Sequence, residues 1–174
     1  MNIESELSQN RAVLLLLPSL EYNDIIVDVA KKLSKESLCY VTLNKTHSSL
    51  REMFQKKKVN VKNIVFVDAI SKSIKPTPDQ TDGCYFVSSP NAFTEISMVV
   101  SKISKHNFKY LIFDSISNLL PYENKPTIIK FLSSTISRLI ESNTRCVFYA
   151  LREQEQEQII KECSMFVNKV IEVK

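Results

Sequence analysis

The chain has 174 residues, 44% of them hydrophobic and 24% charged, with a net charge of +4. That is the balance of one globular domain with room for a real core, and too mildly basic to mark a nucleic-acid binder by charge alone. Only one glycine occurs, Gly83, where average usage would place about twelve. The deficit excludes the G-x-x-x-x-G-K-[ST] phosphate loop and the G-x-G-x-x-G dinucleotide fingerprint, whose glycines let the backbone wrap closely round phosphate.

In chain order, residues 1–10 read as a flexible N-terminus, too acidic at Glu4 and Glu6 for a signal peptide. Ala12–Leu17 is a continuous apolar run ending at Pro18, the pattern of a strand buried on both faces. It is far shorter than the ~20 residues of a membrane span. Tyr22–Leu33 carries Ile25, Ile26, Val29, Ala30 and Leu33 at helical spacing, with Asn23 as the N-cap and Asp24 on the positive end of the dipole. Leu38–Leu43 is a second strand, Ser48–Lys57 a helix and Asn63–Ala69 a third strand. Ile70–Gly83, with Pro76 and Pro78, reads as a loop, and Cys84–Val87 as a short strand.

Ser89-Pro90 has the form of a helix start, and the helix runs to about Lys105. Tyr110–Asp114 is a strand followed by the polar turn Ser115–Asn118. Pro126 opens a helix over Thr127–Glu141, and Arg145–Ala150 is the next strand. Glu153–Lys161 reads as a polar helix, and Met165–Val173 closes the chain as a strand. The four cysteines lack C-x-x-C spacing and mostly lie in apolar runs, so they read as reduced core residues of a cytoplasmic protein. His47 and His106 have polar neighbours and read as surface residues.

Apolar strands alternating with helices predict an α/β fold: a mainly parallel sheet, helices on both sides, with a C-terminal edge strand. No domain boundary is visible within 1–174. In such sheets, sites gather at the carboxyl ends of the strands. There Asn44, Lys45, Asp68 and Arg152 are the pocket candidates, together with Tyr22, Asp114 and Ser115.

The order of these segments resembles the RecA superfamily of ATPases, and within it the KaiC-like archaeal branch. Tyr110-Leu111-Ile112-Phe113-Asp114-Ser115 looks like the Walker B strand with its Asp-Ser ending. Cys39–Leu43 with Ser48–Phe54, and Phe166–Val173, are similar to the family's strand and helix after the P-loop helix and to its closing strand. The resemblance spans about residues 11–174 and implies a three-layer α/β/α RecA-like (P-loop NTPase-like) fold.

It also implies a phosphate site between the first strand and the helix after it, and the chain departs there. Laid on the Walker A pattern, Leu17 and Tyr22 stand at the glycines, Asn23 at the lysine and Asp24 at the magnesium-binding hydroxyl. Side chains at glycine positions restrict the phosphate-cradling backbone, and Glu21 and Asp24 put negative charge where phosphate would lie. After the second strand, Asn44 and Lys45 replace the family's acidic residues and supply no carboxylate base. Asp114 and Ser115 are the Walker B-like remnant. Asp114 either caps the turn Ser115–Asn118 through an Asx-type bond, the simpler reading, or keeps a residual metal role.

These departures point to a pseudo-ATPase with no catalytic residue, no resident metal and no ATP–magnesium cofactor. Its implied partners are another protein, such as an active KaiC-like relative or a signalling component, or further copies of itself. A nucleotide-binding protein or ATPase with an unconventional phosphate site is the first alternative. A nucleic-acid-binding RecA paralogue, using lysines such as Lys56–Lys58, Lys102 and Lys105, is the second.

Overall fold

The computed structural model describes the whole chain, residues 1–174. Its centre is an eight-stranded sheet in the order β4-β5-β3-β2-β6-β7-β1-β8. The strands are β1 (Ala12–Leu17), β2 (Leu38–Thr42), β3 (Ile64–Asp68), β4 (Gln80–Thr81), β5 (Cys84–Phe86), β6 (Tyr110–Asp114), β7 (Arg145–Leu151) and β8 (Lys169–Glu172). Every pairing is parallel except that of β4 with β5. The last strand lies parallel to β1 at the sheet's edge.

Seven helices complete the fold: α1 (Ile3–Gln9), α2 (Tyr22–Leu33), α3 (His47–Lys56), α4 (Ser71–Ile74), α5 (Phe93–Ser104), α6 (Lys125–Glu141) and α7 (Glu157–Cys163). Strand alternation divides the core in two. Val13, Leu15, Leu17, Tyr40, Ile112 and Tyr149 face α1, α2 and α3, packing with Ile3, Leu7, Ile26, Leu50 and Phe54. Ala12, Leu14, Val41, Phe113 and Phe148 face α5, α6 and α7, packing with Ile96, Val100, Leu132, Ile136 and Ile159. Both faces of the central strands are thus dry, which is why the strands read as unbroken apolar runs. The three layers are those the sequence predicts.

Several local expectations differ. Residues 1–10 include α1, because Ile3 and Leu7 are fully buried against α2 and the sheet, and Asn2 accepts from the Ser5 N–H as its N-cap. Glu21, not Asn23, stands at the N-cap of α2, without a side-chain capping bond. α5 begins at Phe93; Ser89-Pro90 lies in the turn before it, where the Ala92 N–H donates to the Ser89 carbonyl. The segment 70–83 is not all loop, since it holds α4 and β4. Residues 153–161 form a 3-10 turn over Gln154–Gln156 and then α7. The closing strand is confined to Lys169–Glu172. All four cysteines are free and buried.

The scarcity of glycine has a backbone consequence. Gly83 takes a positive φ of 73° between β4 and β5, but so do Lys58, Asn107 and Asn143, at φ of 60°, 56° and 63°. Lys58 and Asn143 follow the ends of α3 and α6. Around Lys58 the chain makes the paired closing bonds of a Schellman end, from the Lys58 N–H to the Gln55 carbonyl and from the Val59 N–H to the Phe54 carbonyl. Glycine is the usual occupant of that position; here side chains bear the strain.

Candidate functional site

The carboxyl ends of β1, β2, β3, β6 and β7 meet on one side of the sheet. β1 ends at Leu17, which is fully buried as a strand residue. Four residues, Pro18–Glu21, connect it to α2. Their tip, Leu20, is 96% exposed, and the Ser19 hydroxyl donates to Glu153 Oε1 at 2.6 Å, tying this connection to the one after β7. Tyr22, the first residue of α2, turns inward and is buried, while Glu21, Asn23 and Asp24 stay exposed at the helix start.

Beneath Tyr22 lies a buried polar cluster. Asp114, the last residue of β6, is fully buried. Its Oδ2 accepts a 2.6 Å bond from the Tyr40 hydroxyl on β2, and its Oδ1 a long 3.5 Å bond from Asn44 Nδ2. The same amide donates to the Tyr22 hydroxyl at 3.1 Å. Burial pushes the Asp114 carboxyl well above the usual carboxylate range. Two buried polar atoms, Asn44 Oδ1 and the Tyr149 hydroxyl, have no hydrogen-bond partner. Continuing the β6–β7 register past Phe113 and Phe148 sets Asp114 beside Tyr149. Both bonds to the carboxyl come from donors, which favour its charged form, while complete burial acts against that charge and prevails.

Asp114 therefore does not cap the turn after it. Ser115 is buried, and its hydroxyl donates to Asn118 Oδ1 at 2.6 Å within a 3-10 turn over Ile116–Leu119. The Asp114–Ser115 peptide bond is cis. The Asx-type role falls instead to Asp68 at the end of β3. Its Oδ1 accepts from the Ile70 and Ser71 N–H groups at 2.7 and 2.8 Å, and its Oδ2 from the His47 N–H and the Ser71 hydroxyl at 2.7 and 2.5 Å. With four donors, this fully buried carboxylate is a joint between β3, α3 and α4. His47 is half-buried and not a plain surface residue. Its ring lies 4.8 Å from that of Phe66, and burial, with Arg51 adding to it, lowers its pKa.

The remaining candidates lie apart. Lys45 is half-buried with its ammonium 5.5 Å from the centre of the Tyr22 ring, and desolvation lowers its pKa. Thr42 holds that turn, donating to the Lys45 carbonyl at 2.7 Å and accepting from its N–H at 3.2 Å. Arg152 is exposed and pairs with Glu172 at 2.6 Å, across from the cluster rather than in it. The structure thus joins Tyr22, Asn44, Lys45 and Asp114, and separates them from Asp68 and Arg152. Sequence reasoning missed Tyr40 and Tyr149. Their signal was a tyrosine inside an otherwise apolar strand, since a buried phenol seeks a partner for its hydroxyl.

A mainly parallel sheet between two helical layers makes this a three-layer α/β fold. The KaiC-like protein PH0186 of the hyperthermophilic archaeon Pyrococcus horikoshii OT3 shares it, with a TM-score of 0.66 and 16% sequence identity over 94% of this chain and 72% of that one. No protein-family model matches the chain, and no curated protein matches it. At this identity the likeness establishes the fold. No helix is long and apolar enough to cross a membrane.

Proposed function

We propose that this chain is a non-catalytic KaiC-like domain, a pseudo-ATPase that works as a protein-interaction or signal-transduction module. The observation that carries the reading is the state of Asp114. In the resembling family this position faces magnesium, whereas here the carboxyl is sealed beneath Tyr22, bonded by Tyr40 and Asn44, and pushed by burial toward its neutral form. A carboxyl buried this fully and already bonded by two side chains makes a poor ligand for a hard dication, which needs accessible charged oxygens.

The residues around it do not fit ATP and magnesium. Between Leu17 and Tyr22 there is no glycine, Pro18 has no N–H to offer, and no lysine follows. The exposed carboxylates Glu21 and Asp24 occupy the positive end of α2 where a triphosphate would need it free. The partner implied is another protein, such as an active relative or a signalling component.

Calorimetric titration with ATP and magnesium tests the reading directly. No measurable heat of binding is expected, and micromolar binding would overturn it. One observation favours a second reading, an anion or nucleotide held at an unconventional site: Lys45 is a partly desolvated cation at the mouth of the cluster. Thermal stabilisation by a nucleotide, lost in Lys45→Ala, would establish that reading in place of the first.

A further inference from the structure

α5 and α6 each bury one face against the sheet, through Ile96, Val100 and Ile103 on one helix and Ile128, Leu132 and Ile136 on the other. Their outer flanks leave a groove. It consists of two adjoining hollows of about 680 and 410 Å³ that share Ser97, Ser101, Lys105 and Arg138. We propose that this groove docks an acidic amphipathic helix of a partner protein. The proposal rests on the contact-module reading above and names the chemistry of the partner.

Charge is the first argument. Lys102 and Lys105 line the α5 side and Lys130 and Arg138 the α6 side, and none of the four is ion-paired. Against them stands one lining carboxylate, Glu141, at the far end. Such a field attracts and orients an acidic partner. Lys102 is already held in place, its ammonium 5.1 Å from the centre of the Tyr85 ring.

Shape and apolar surface are the second argument. Ser97, Ser101 and Ser104 follow one another at helical spacing along α5 and all line the 410 Å³ hollow, giving a floor of short side chains. Met98, 68% exposed, lines the larger hollow and supplies a soft seat for an apolar side chain. Beside it, Phe93 is stacked on Phe131 at 4.2 Å and 6°. The lining of α6 runs from Thr127 to Glu141, about 21 Å at 1.5 Å per residue, the length of roughly four helical turns. Apolar anchors at i, i+3 and i+4 with acids on the flanks match such a groove. A nucleic acid suits it less well. Phe93 is the one partly exposed ring in the groove's lining, too few for successive bases to stack on, and Glu141 repels phosphate at one end.

The test uses the full chain and a fluorescein-labelled helical peptide of about 16 residues, with leucines on one face and glutamates flanking them. Fluorescence anisotropy is expected to show salt-sensitive binding. The double variant Lys105→Glu/Lys130→Glu should weaken it about tenfold, and Met98→Asp should weaken it as well. The control variant Lys57→Glu/Lys58→Glu, on the opposite helical layer, should leave it unchanged, and thermal melting checks that each variant folds.

Absence of binding overturns the proposal, as does equal weakening by the control variant. Equal or tighter binding of a single-stranded oligonucleotide of matched charge assigns the groove to nucleic acid instead. Self-association abolished by the same double variant assigns it to a second copy. The groove variants leave the calorimetric test with ATP untouched, so failure here and failure of the pseudo-ATPase reading are separately visible.

Discussion

Replacing Asp114 by asparagine separates the shape of the buried cluster from its charge. The asparagine carbonyl oxygen can still accept from the Tyr40 hydroxyl, and its amide can donate to the Asn44 carbonyl once the Asn44 amide, whose nitrogen now faces this position, turns over. Only the ability to ionise is lost. Because burial raises the Asp114 pKa, the folded state keeps a proton that the unfolded chain releases above about pH 3.9. Below that value both states are protonated and the neutral acid's contribution is whole. As pH rises toward the folded-state pKa, stability falls by about 1.4 kcal/mol per unit, because the folded state binds the extra proton. Urea denaturation of both chains across roughly pH 5 to 7 reads the difference in slope. The native chain should lose stability relative to Asp114→Asn as pH rises, until the variant is the more stable of the two. Parallel pH profiles, or a constant deficit in the variant, would refute the reasoning and mean that Asp114 is ionised and solvated.

Other variants probe neighbouring parts of the account. Tyr149→Phe removes a buried hydroxyl without a partner and is expected to stabilise the fold by about 1 kcal/mol in denaturant titration; a loss of stability would mean that the hydroxyl is satisfied in solution. Lys58→Gly relieves a left-handed residue at the end of α3 and should raise stability by about 1 kcal/mol, a melting shift of roughly 2–4 °C. Leu132→Ala opens a void among fully buried side chains of α6 and the sheet and should cost about 2–5 kcal/mol.

The fold was largely legible because its strands are buried on both faces and its helices on one. Ala12–Leu17 reads as an unbroken run because alternate residues serve two cores. Boundaries were less legible where tertiary contacts override local chemistry. α1 is short and polar-looking, and only the burial of Ile3 and Leu7 orders it. Ser89-Pro90 has the local form of a helix start, yet α5 begins later, at Phe93, which stacks on Phe131 of α6. The site was half legible. Tyr22, Asn44, Lys45 and Asp114 fall together because they end or follow neighbouring elements on one face. Asp68 and Arg152 share the same end of the sheet but spend their charge elsewhere, on turn amides and on Glu172. Strand-end position fixes where a residue stands, while its partners depend on side chains from distant parts of the chain. Tyr40 is the example, 74 residues away from the Asp114 carboxyl that it binds.

The central claim is that the sheet's carboxyl end is closed to ATP and magnesium. Isothermal titration of the full chain with ATP and magnesium tests it most directly. No binding heat above dilution is expected, and none from Asp114→Asn either. Micromolar binding that depends on magnesium and disappears in Asp114→Asn would contradict the account, because it would require the buried carboxyl to be charged, exposed and holding the ion.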